Sequence, residues 1–407
     1  MSEKPISTKE LNHLRILNLL RLQPGISRIA IAKSARLPKA TVSGLVSDLI
    51  DDGLVIEAGA GVQLAAAGRR PVKLKLNGQT RLAIGIELTG SACVAALTDL
   101  YSEPIRVIRQ PMPNTSVQAS IDMIIKTADD LLQGHDPTKV LGLAVGVPGP
   151  VDAERRCVIQ AENIDWFDVP LASLLEERTD YPVTVVKRQQ AGALGELWNG
   201  IGKGCSDLLY ISIGVGIGCG IILSGRLSEG AYGVSGELGH ITIVPDGEQC
   251  RCGNFGCLET VASDRAIAEL AAKEVRKGRE TVLFDSRTGT PGPFTSTQVI
   301  AAAKAGDRLA IDVIQQAARY LGIGIASAAN LFNPSKIVLG GDVVQLGDLF
   351  LAPIREVVTR RGFPLSVNRL EIVASSLGDR AAAIGAAALV IDRFFVMASP
   401  GKIQNSA

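Results

Sequence analysis

The sequence predicts a small, mainly helical N-terminal domain, here called the head, followed by an α/β body of two similar lobes. Apolar residues recur at helical spacing up to about residue 51, and two short strand-like segments follow. After Asn77 a series of short strands, a helix and a further buried strand occurs twice. The 407 residues suffice for two or three domains. The predicted boundaries are 1–77 for the head, 80–200 plus about 385–400 for the first lobe, and 201–384 for the second.

Composition and charge narrow the class of protein. Hydrophobic residues make up 46% and charged residues 20% of the chain, which is typical of globular domains. No apolar run reaches membrane length and residues 1–7 lack the apolar core of a signal peptide, so we expect a cytoplasmic protein with reduced thiols and no membrane contact. Residues 1–77 hold 12 Lys/Arg against 6 Asp/Glu, whereas the remainder holds 30 against 35. This asymmetry indicates a polyanion-binding head on a mildly acidic body.

Three helices are predicted in the head. The first runs from Thr8 to Gln23, where Pro24-Gly25 ends it. Ser27 caps the second, and the third runs from about Lys39 to Asp51. The predicted inward positions of the second and third helices are Ile29, Ile31, Ala35, Val42, Leu45, Val46, Leu49 and Ile50. Two short helices joined by a tight turn form a helix-turn-helix, which places its second helix in the major groove of DNA.

The remaining face of the third helix carries the predicted base and phosphate contacts. Its polar residues are Lys39, Thr41, Ser43 and Ser47. Segments 55–57 and 72–76 alternate like a hairpin, which would form a wing, and Arg69 and Arg70 between them suit a narrow minor groove. The alternative is a helical domain used for protein contacts. The helix, the wing and the charge together favour double-stranded DNA.

The body contains a repeated pattern. Its predicted strands are 82–88, 92–97, 105–108, 140–147, 183–186, 208–214, 218–223 and 336–339. Predicted helices cover about 117–133, 191–200 and 307–331, and residues 288–296 are predicted as a loop. Two lobes of this kind enclose a cleft, where a ligand is expected to bind. The 307–331 helix is assigned to the core, with dimer packing as an additional role.

One imidazole and three thiols lie close together in the second lobe. They belong to His240, Cys250, Cys252 and Cys257, with turn-forming glycines between them. Zn²⁺ accepts these donors in a tetrahedral shell, and four protein ligands leave no position for a reactive water. The sequence therefore predicts a structural zinc site. The alternative is a pair of buried thiols, or a disulfide, beside an unrelated histidine.

These motifs together resemble the ROK family of repressors and sugar kinases, and in particular its xylose- and N-acetylglucosamine-type repressors. The resemblance covers the winged head, the glycine-rich segment 214–227, Gly236-Glu-Leu-Gly-His240 and the segment 250–259. It implies two actin-like, ribonuclease-H-like lobes, zinc held by His240 and the three cysteines, and a homodimer or dimer of dimers. The effector-binding positions that it implies are Asn163, Lys187, Arg188, Glu237, His240 and Glu259.

The same resemblance predicts a protein that is not an enzyme. Aligned on Ala193-Leu-Gly-Glu196, the catalytic aspartate of the family's kinases falls on Arg188, which cannot accept a proton at neutral pH. Their first phosphate-binding turn appears as Glu87-Leu-Thr-Gly-Ser-Ala92, so Thr89 replaces a glycine and Ala92 a lysine. The predicted function is a sequence-specific repressor of sugar-metabolism genes, controlled by a sugar in the cleft. An active ATP-dependent sugar kinase with a DNA-binding head, and a regulator whose effector is a partner protein, are the alternatives.

The charge of the effector is left open. Lys187 and Arg188 lie where the reacting sugar hydroxyl would be, and a phosphorylated or carboxylated sugar would pair with them. The other explanation is internal pairing with Glu237, Glu259 or Asp165. Zinc is expected to orient the loop bearing Glu237, His240 and Glu259, which would link the metal to regulation.

Overall fold

The computed structural model describes residues 7–60, 72–112, 116–284 and 293–396. The predicted loop at 288–296 falls largely outside these ranges. Within them, no helix is both long and apolar enough to cross a membrane.

The head is a three-helix domain with a small sheet. A capping box between Ser7 and Glu10 begins its first helix, and the Ser27 hydroxyl accepts a hydrogen bond from the Ala30 amide at the start of the second. Its elements are α1 Thr8–Leu22, β1 Ile26–Ser27, α2 Arg28–Ala35, α3 Lys39–Asp51, β2 Val55–Ala60 and β3 Val72–Leu76. The sheet order is β1-β3-β2, so the predicted hairpin is present. The prediction for Ile29 was wrong, because its side chain is 62% exposed; Ile31 is buried as predicted, and Ala32 is the second buried residue of α2.

The first half of the body is built on a five-stranded sheet. Its elements are β4 Leu82–Leu88, β5 Ala92–Thr98, β6 Pro104–Pro111, α4 Val117–Leu132, β7 Val140–Val147, β8 Val158–Ala161, β9 Trp166–Val169, α5 Leu171–Glu176, β10 Val183–Lys187 and α6 Arg188–Asn199. The strand order is β10-β7-β4-β5-β6, and β8 pairs with β9 in a separate hairpin. Strands β4 and β5 are buried throughout, so helices cover both faces of the sheet centre.

The second half repeats this plan. Its elements are β11 Leu208–Ile213, β12 Ile217–Leu223, β13 Arg226–Leu227, α7 Glu259–Ala262, α8 Asp264–Arg276, α9 Ser296–Lys304, α10 Arg308–Phe332, β14 Lys336–Gly340, α11 Asp348–Arg361, α12 Pro364–Val367, β15 Glu371–Ala374 and α13 Ala381–Val396. The strand order is β13-β12-β11-β14-β15. In both sheets the first strand in sequence is central, with two antiparallel strands on one side and two parallel strands on the other. The predicted repeat is confirmed, while the exact domain boundaries stay a prediction.

Helices α6 and α13 pack together between the two sheets. Helix α13 lies on β4, β5 and β7, and α6 lies on β11 and β12. Glycines let the two helix backbones touch: a Cβ atom on Gly385 would lie 1.7 Å from the Ala191 carbonyl oxygen, and one on Gly195 would lie 2.2 Å from that of Ala381. At these points the backbones of the two helices therefore pack directly against each other, without intervening side chains.

Candidate functional site

The structure brings the four predicted metal ligands together. The donor atoms of His240, Cys250, Cys252 and Cys257 all lie within 4.8 Å of one another. A 3₁₀ turn over Leu238–His240 presents the imidazole, and the connecting loop folds tightly because a Cβ atom on Gly256 would lie 1.5 Å from the Val244 carbonyl oxygen.

The spacing of these atoms fits a shared ion rather than a disulfide. The Cys252 and Cys257 Sγ atoms are 3.7 Å apart, and His240 Nδ1 lies 3.7 Å from Cys250 Sγ. A disulfide needs an S–S distance of about 2.05 Å. A tetrahedral shell with metal–sulfur distances of about 2.3 Å has edges of about 3.8 Å. The cluster therefore has the donor set and the dimensions of a four-coordinate metal site.

Glu237 connects the cluster to the predicted effector residues. Its carboxylate lies 3.8 Å from His240 Nε2, the ring nitrogen that faces away from Cys250. Lys187 Nζ donates to Glu237 Oε1 at 2.5 Å and to the Ser235 carbonyl oxygen at 2.9 Å. Lys187 is only 4% exposed, so this ammonium group is held between the lobes with its charge compensated.

The other predicted effector positions are arranged differently. The Glu259 carboxylate accepts a hydrogen bond of 3.0 Å from the Ile217 amide and lies against Gly216, where a Cβ atom would be 2.5 Å from Oε2. Asn163 lies on an exposed 3₁₀ turn of the first half. Lys187 pairs with Glu237, and Glu237 with His240; within the described ranges this set of contacts does not extend to Asn163.

Arg188 pairs with a residue that the sequence did not suggest. Its Nε lies 3.2 Å from Glu87 Oε1, and its Nη2 donates to the Ser212 hydroxyl at 2.9 Å. Glu87 is 5% exposed; burial raises the pKa of its carboxyl, and the positive charge of Arg188 opposes that rise. Glu87 ends the strand pairing of β4 near the carboxyl end of β10, so the sheet, rather than any local signal in the sequence, brings it to Arg188. Of the three carboxylates considered as internal partners, Glu237 pairs with Lys187, whereas Arg188 pairs with Glu87, which was not among them.

The turn over residues 87–92, which is aligned with the first phosphate-binding turn of the family's kinases, is closed by hydrogen bonds to the side chain of Thr89. The Thr89 hydroxyl accepts hydrogen bonds from the Ala92 amide at 2.9 Å and the Ser91 amide at 3.3 Å. The Thr89 amide donates to the Ala92 carbonyl oxygen at 2.9 Å. Amides that a phosphate would need are thus already bonded within the turn.

Asp264, which the sequence analysis did not identify, lies in the second half of the body, near enough to Arg188 for the two charges to interact. It is the first residue of α8, and its amide donates to the Gly214 carbonyl oxygen at 2.8 Å. Burial and then the nearby Asp342 carboxylate raise the pKa of Asp264 to about 6, while a hydrogen bond with Ser296 and the charge of Arg188 oppose the rise.

The raised pKa of the Asp264 carboxyl leads us to predict that stability depends on pH. Its pKa in the folded chain lies above its ordinary value of 3.8, so protonation favours folding and stability falls as the pH rises from about 4 to about 6. We expect Asp264→Asn to unfold at a higher temperature than the wild type at pH 8, with a difference that shrinks towards pH 4. Thermal unfolding measured from pH 4 to pH 8 gives this difference in unfolding temperature. Asp180→Asn, at an exposed position, is the control. A difference that is constant with pH would contradict the assignment.

The predicted DNA-binding residues of α3 share one exposed face. Val42, Leu45, Val46 and Leu49 are buried, whereas the polar set is exposed. That polar set is Lys39, Thr41, Ser43 and Ser47. Arg69 and Arg70 lie outside the described residues. Lys73 and Lys75 on β3 are also exposed, and the alternation of that strand could have identified them as further cations.

A winged helix-turn-helix joined to a two-lobed body with a cleft defines a ligand-controlled DNA-binding protein. Residues 10–56 match the model for winged helix-turn-helix DNA-binding domains, and residues 83–393 match that of the ROK family. The chain belongs to the ROK family.

Relatives of two kinds are similar to this chain. A xylose repressor of Caldicellulosiruptor bescii is 36% identical over 389 residues, covering 94% of this chain and 96% of its own length. A glucokinase of Halalkalibacterium halodurans is 37% identical over 314 residues, covering 75% of this chain and 94% of its own. The crystal structure of a ROK transcriptional regulator, described as a homolog of the E. coli MLC protein, covers 96% of this chain and 98% of its own with a TM-score of 0.81 and 32% identity.

Proposed function

We propose that this protein is a transcriptional repressor of sugar-metabolism genes that binds operator DNA through the head and responds to a sugar in the cleft. The observation that carries the proposal is the exposed polar face of α3 on a domain joined to a two-lobed body, an arrangement shared over nearly the full length of named repressors. A homodimer, or a dimer of dimers, in the cytoplasm would read a palindromic operator, because two-fold proteins read two-fold sites.

The cleft favours an uncharged sugar as effector. Glu237 and Glu259 provide carboxylates and His240 an imidazole that can bond sugar hydroxyls. The two cations that would attract a phosphate or carboxylate are already paired, Lys187 with Glu237 and Arg188 with Glu87. Of the two explanations that the sequence leaves open, internal pairing is therefore the one we adopt.

Zn²⁺ is the metal that we assign to the His240 cluster, because one imidazole and three thiolates form a typical structural zinc shell. Its chemistry there is structural: it would fix the loop that joins Glu237 to Glu259. Since Glu237 lies 3.8 Å from the second ring nitrogen of His240, a ligand residue also orients an effector residue.

The glucokinase relative favours a second candidate, an active sugar kinase. Two contacts argue against it. Arg188, which the alignment expects at the catalytic-base position, bonds Glu87, and the Thr89 hydroxyl accepts hydrogen bonds from amides of the turn aligned with the phosphate-binding turn. Incubation with ATP, Mg²⁺ and a panel of hexoses, pentoses and amino sugars separates the two candidates. Sugar-dependent ATP consumption would overturn the non-enzymatic assignment.

The repressor proposal is tested by DNA binding with and without sugar. A duplex selected from a random-sequence library by the full chain serves as operator, and D-xylose, D-glucose and N-acetyl-D-glucosamine are the probes. We expect specific binding at physiological salt and a change of about 10-fold or more in operator affinity with one sugar, which is within the usual range of coupling energies. Glu237→Gln is expected to remove that change, because it removes a charged hydroxyl acceptor.

The matched control is Glu280→Gln, an exposed position remote in sequence from the cleft motifs, which should respond to sugar like the wild type. Absence of any specific operator binding would contradict the proposal. Specific binding that no sugar affects, together with a co-purifying protein that alters it, would instead identify a partner protein as the effector.

A further inference from the structure

Arg21 of α1 makes a contact between the head and the body, here called the seat. The Arg21 guanidinium carbon lies 4.3 Å from the centroid of the Trp198 ring and 4.8 Å from that of Phe395. Its Nη1 lies 3.6 Å from Asp392 Oδ1. One turn earlier, the Asn18 side-chain amide donates to the Phe395 carbonyl oxygen at 3.0 Å. A cation between two aromatic rings and a carboxylate is a directional contact, so the seat fixes the orientation of α1.

All three partners of Arg21 belong to the helix pair between the sheets. Trp198 is near the end of α6, and Asp392 and Phe395 are near the end of α13. At Gly195 and Gly385 the backbones of the two helices approach so closely that neither position has space for a Cβ atom. The head therefore contacts one rigid pair rather than two independent helices.

The opposite end of α6 lies in the cleft. Lys187 is the residue immediately before its first turn, and Arg188 is its first residue. Both side chains cross to the second half of the body: Lys187 bonds Ser235 and Glu237, and Arg188 bonds Ser212. Trp198 follows Arg188 by ten residues of α-helix, a rise of about 15 Å. A single helix thus has the effector carboxylate Glu237 at one end and the head at the other.

We propose that α6 and α13 act as one rigid element that transmits the state of the Lys187–Glu237 contact to the head through Arg21. This inference rests on the proposed function. A sugar hydroxyl that bonds Glu237 competes with Lys187, which removes one of the contacts that hold the first turn of α6 to the second half of the body. Because the helix pair moves as a unit, its other end shifts beneath Arg21, and the head is reoriented relative to its operator. A small shift is sufficient, since dimeric repressors need a fixed spacing between their recognition helices.

A double-mutant cycle tests this without an effector. Lys187→Met breaks the cleft contact, and Arg21→Met keeps the apolar stem in its seat but removes the charge and the planar group. The operator affinity of the full chain is measured by fluorescence anisotropy with the library-selected duplex. We expect Lys187→Met to change operator affinity by about five-fold or more when Arg21 is present and by less than about two-fold when it is absent, because contacts joined through one element are not additive.

Arg15→Met is the matched control, because Arg15 is exposed on the same helix. In that background the effect of Lys187→Met should be unchanged. Thermal unfolding verifies that each variant is folded. If Arg21→Met does not fold, Arg21→Lys, which keeps the charge but not the planar group, is used in its place. An equal effect of Lys187→Met in both backgrounds, or no effect in either, would overturn the inference and leave DNA binding intact. Failure of the wild type to bind DNA would instead contradict the proposed function itself.

Discussion

Lys39→Glu is expected to weaken operator binding by roughly 5- to 150-fold, the range for loss of one strong base or phosphate contact. Lys39 is exposed at the first residue of α3, where the helix-turn-helix meets DNA. The substitution places a negative charge against a phosphate or a guanine edge. It does not disfavour the helix, because an acidic residue in the first turn interacts well with the helix dipole. The loss is therefore attributable to the interface and not to folding.

Lys126→Glu is the control for Lys39→Glu, since it makes the same change in net charge at an exposed position on α4. Anisotropy titrations at several salt concentrations should show a shallower salt dependence for Lys39→Glu than for the wild type and no such change for Lys126→Glu. Equal losses for the two variants would mean that net charge, rather than the α3 face, governs DNA binding.

Cys257→Ala is expected to lower the metal content from about one zinc ion per chain to near zero, and the unfolding temperature by about 5 °C or more, because metal that binds only the folded chain stabilises it. Cys257 is fully buried, and its Sγ lies 3.7 Å from that of Cys252. With one thiolate absent, only three donor groups remain. The loop between Glu237 and Glu259 would then no longer be held in place by the metal. Elemental analysis and calorimetry of the purified protein measure both effects.

Cys205→Ala provides the comparison, because Cys205 is a partly buried free thiol outside the cluster. It should keep its metal and unfold near the wild-type temperature. Sugar-dependent regulation should be lost in Cys257→Ala along with the metal. A metal-free Cys257→Ala protein that is regulated like the wild type would break the link between the cluster and the cleft.

Local signals in the sequence were sufficient for much of this structure. The bounds of α3, the capped start of α2 and the repeated strand order follow from apolar spacing, caps and turns, which act over a few residues. The metal cluster was predictable because its ligands are close in the sequence. Ile29 was assigned to the core from its apolar character, whereas the packing of the short α2 through Ile31 and Ala32 decides the helix orientation.

Contacts between distant segments could not be predicted in the same way. Arg188 and Glu87 are separated by about a hundred residues, and only the parallel arrangement of β4, β7 and β10 brings them together. Helix α6 begins at Arg188, three residues earlier than predicted, because Arg188, Gln189 and Gln190 are polar and carry no apolar periodicity. The seat of Arg21 depends on α13, which lies at the other end of the chain.

The Arg188–Glu87 pair also constrains how this protein and its kinase relatives can be interconverted. Changing Arg188 alone to a carboxylate would set two negative charges beside each other and leave the buried Glu87 without its cation. Changing Glu87 alone would remove the carboxylate partner of Arg188. On this scaffold each single change is expected to destabilise the fold, so the effects of the two changes are not expected to be additive. Engineering phosphoryl transfer into this scaffold would therefore have to begin with the pair, not with either residue by itself.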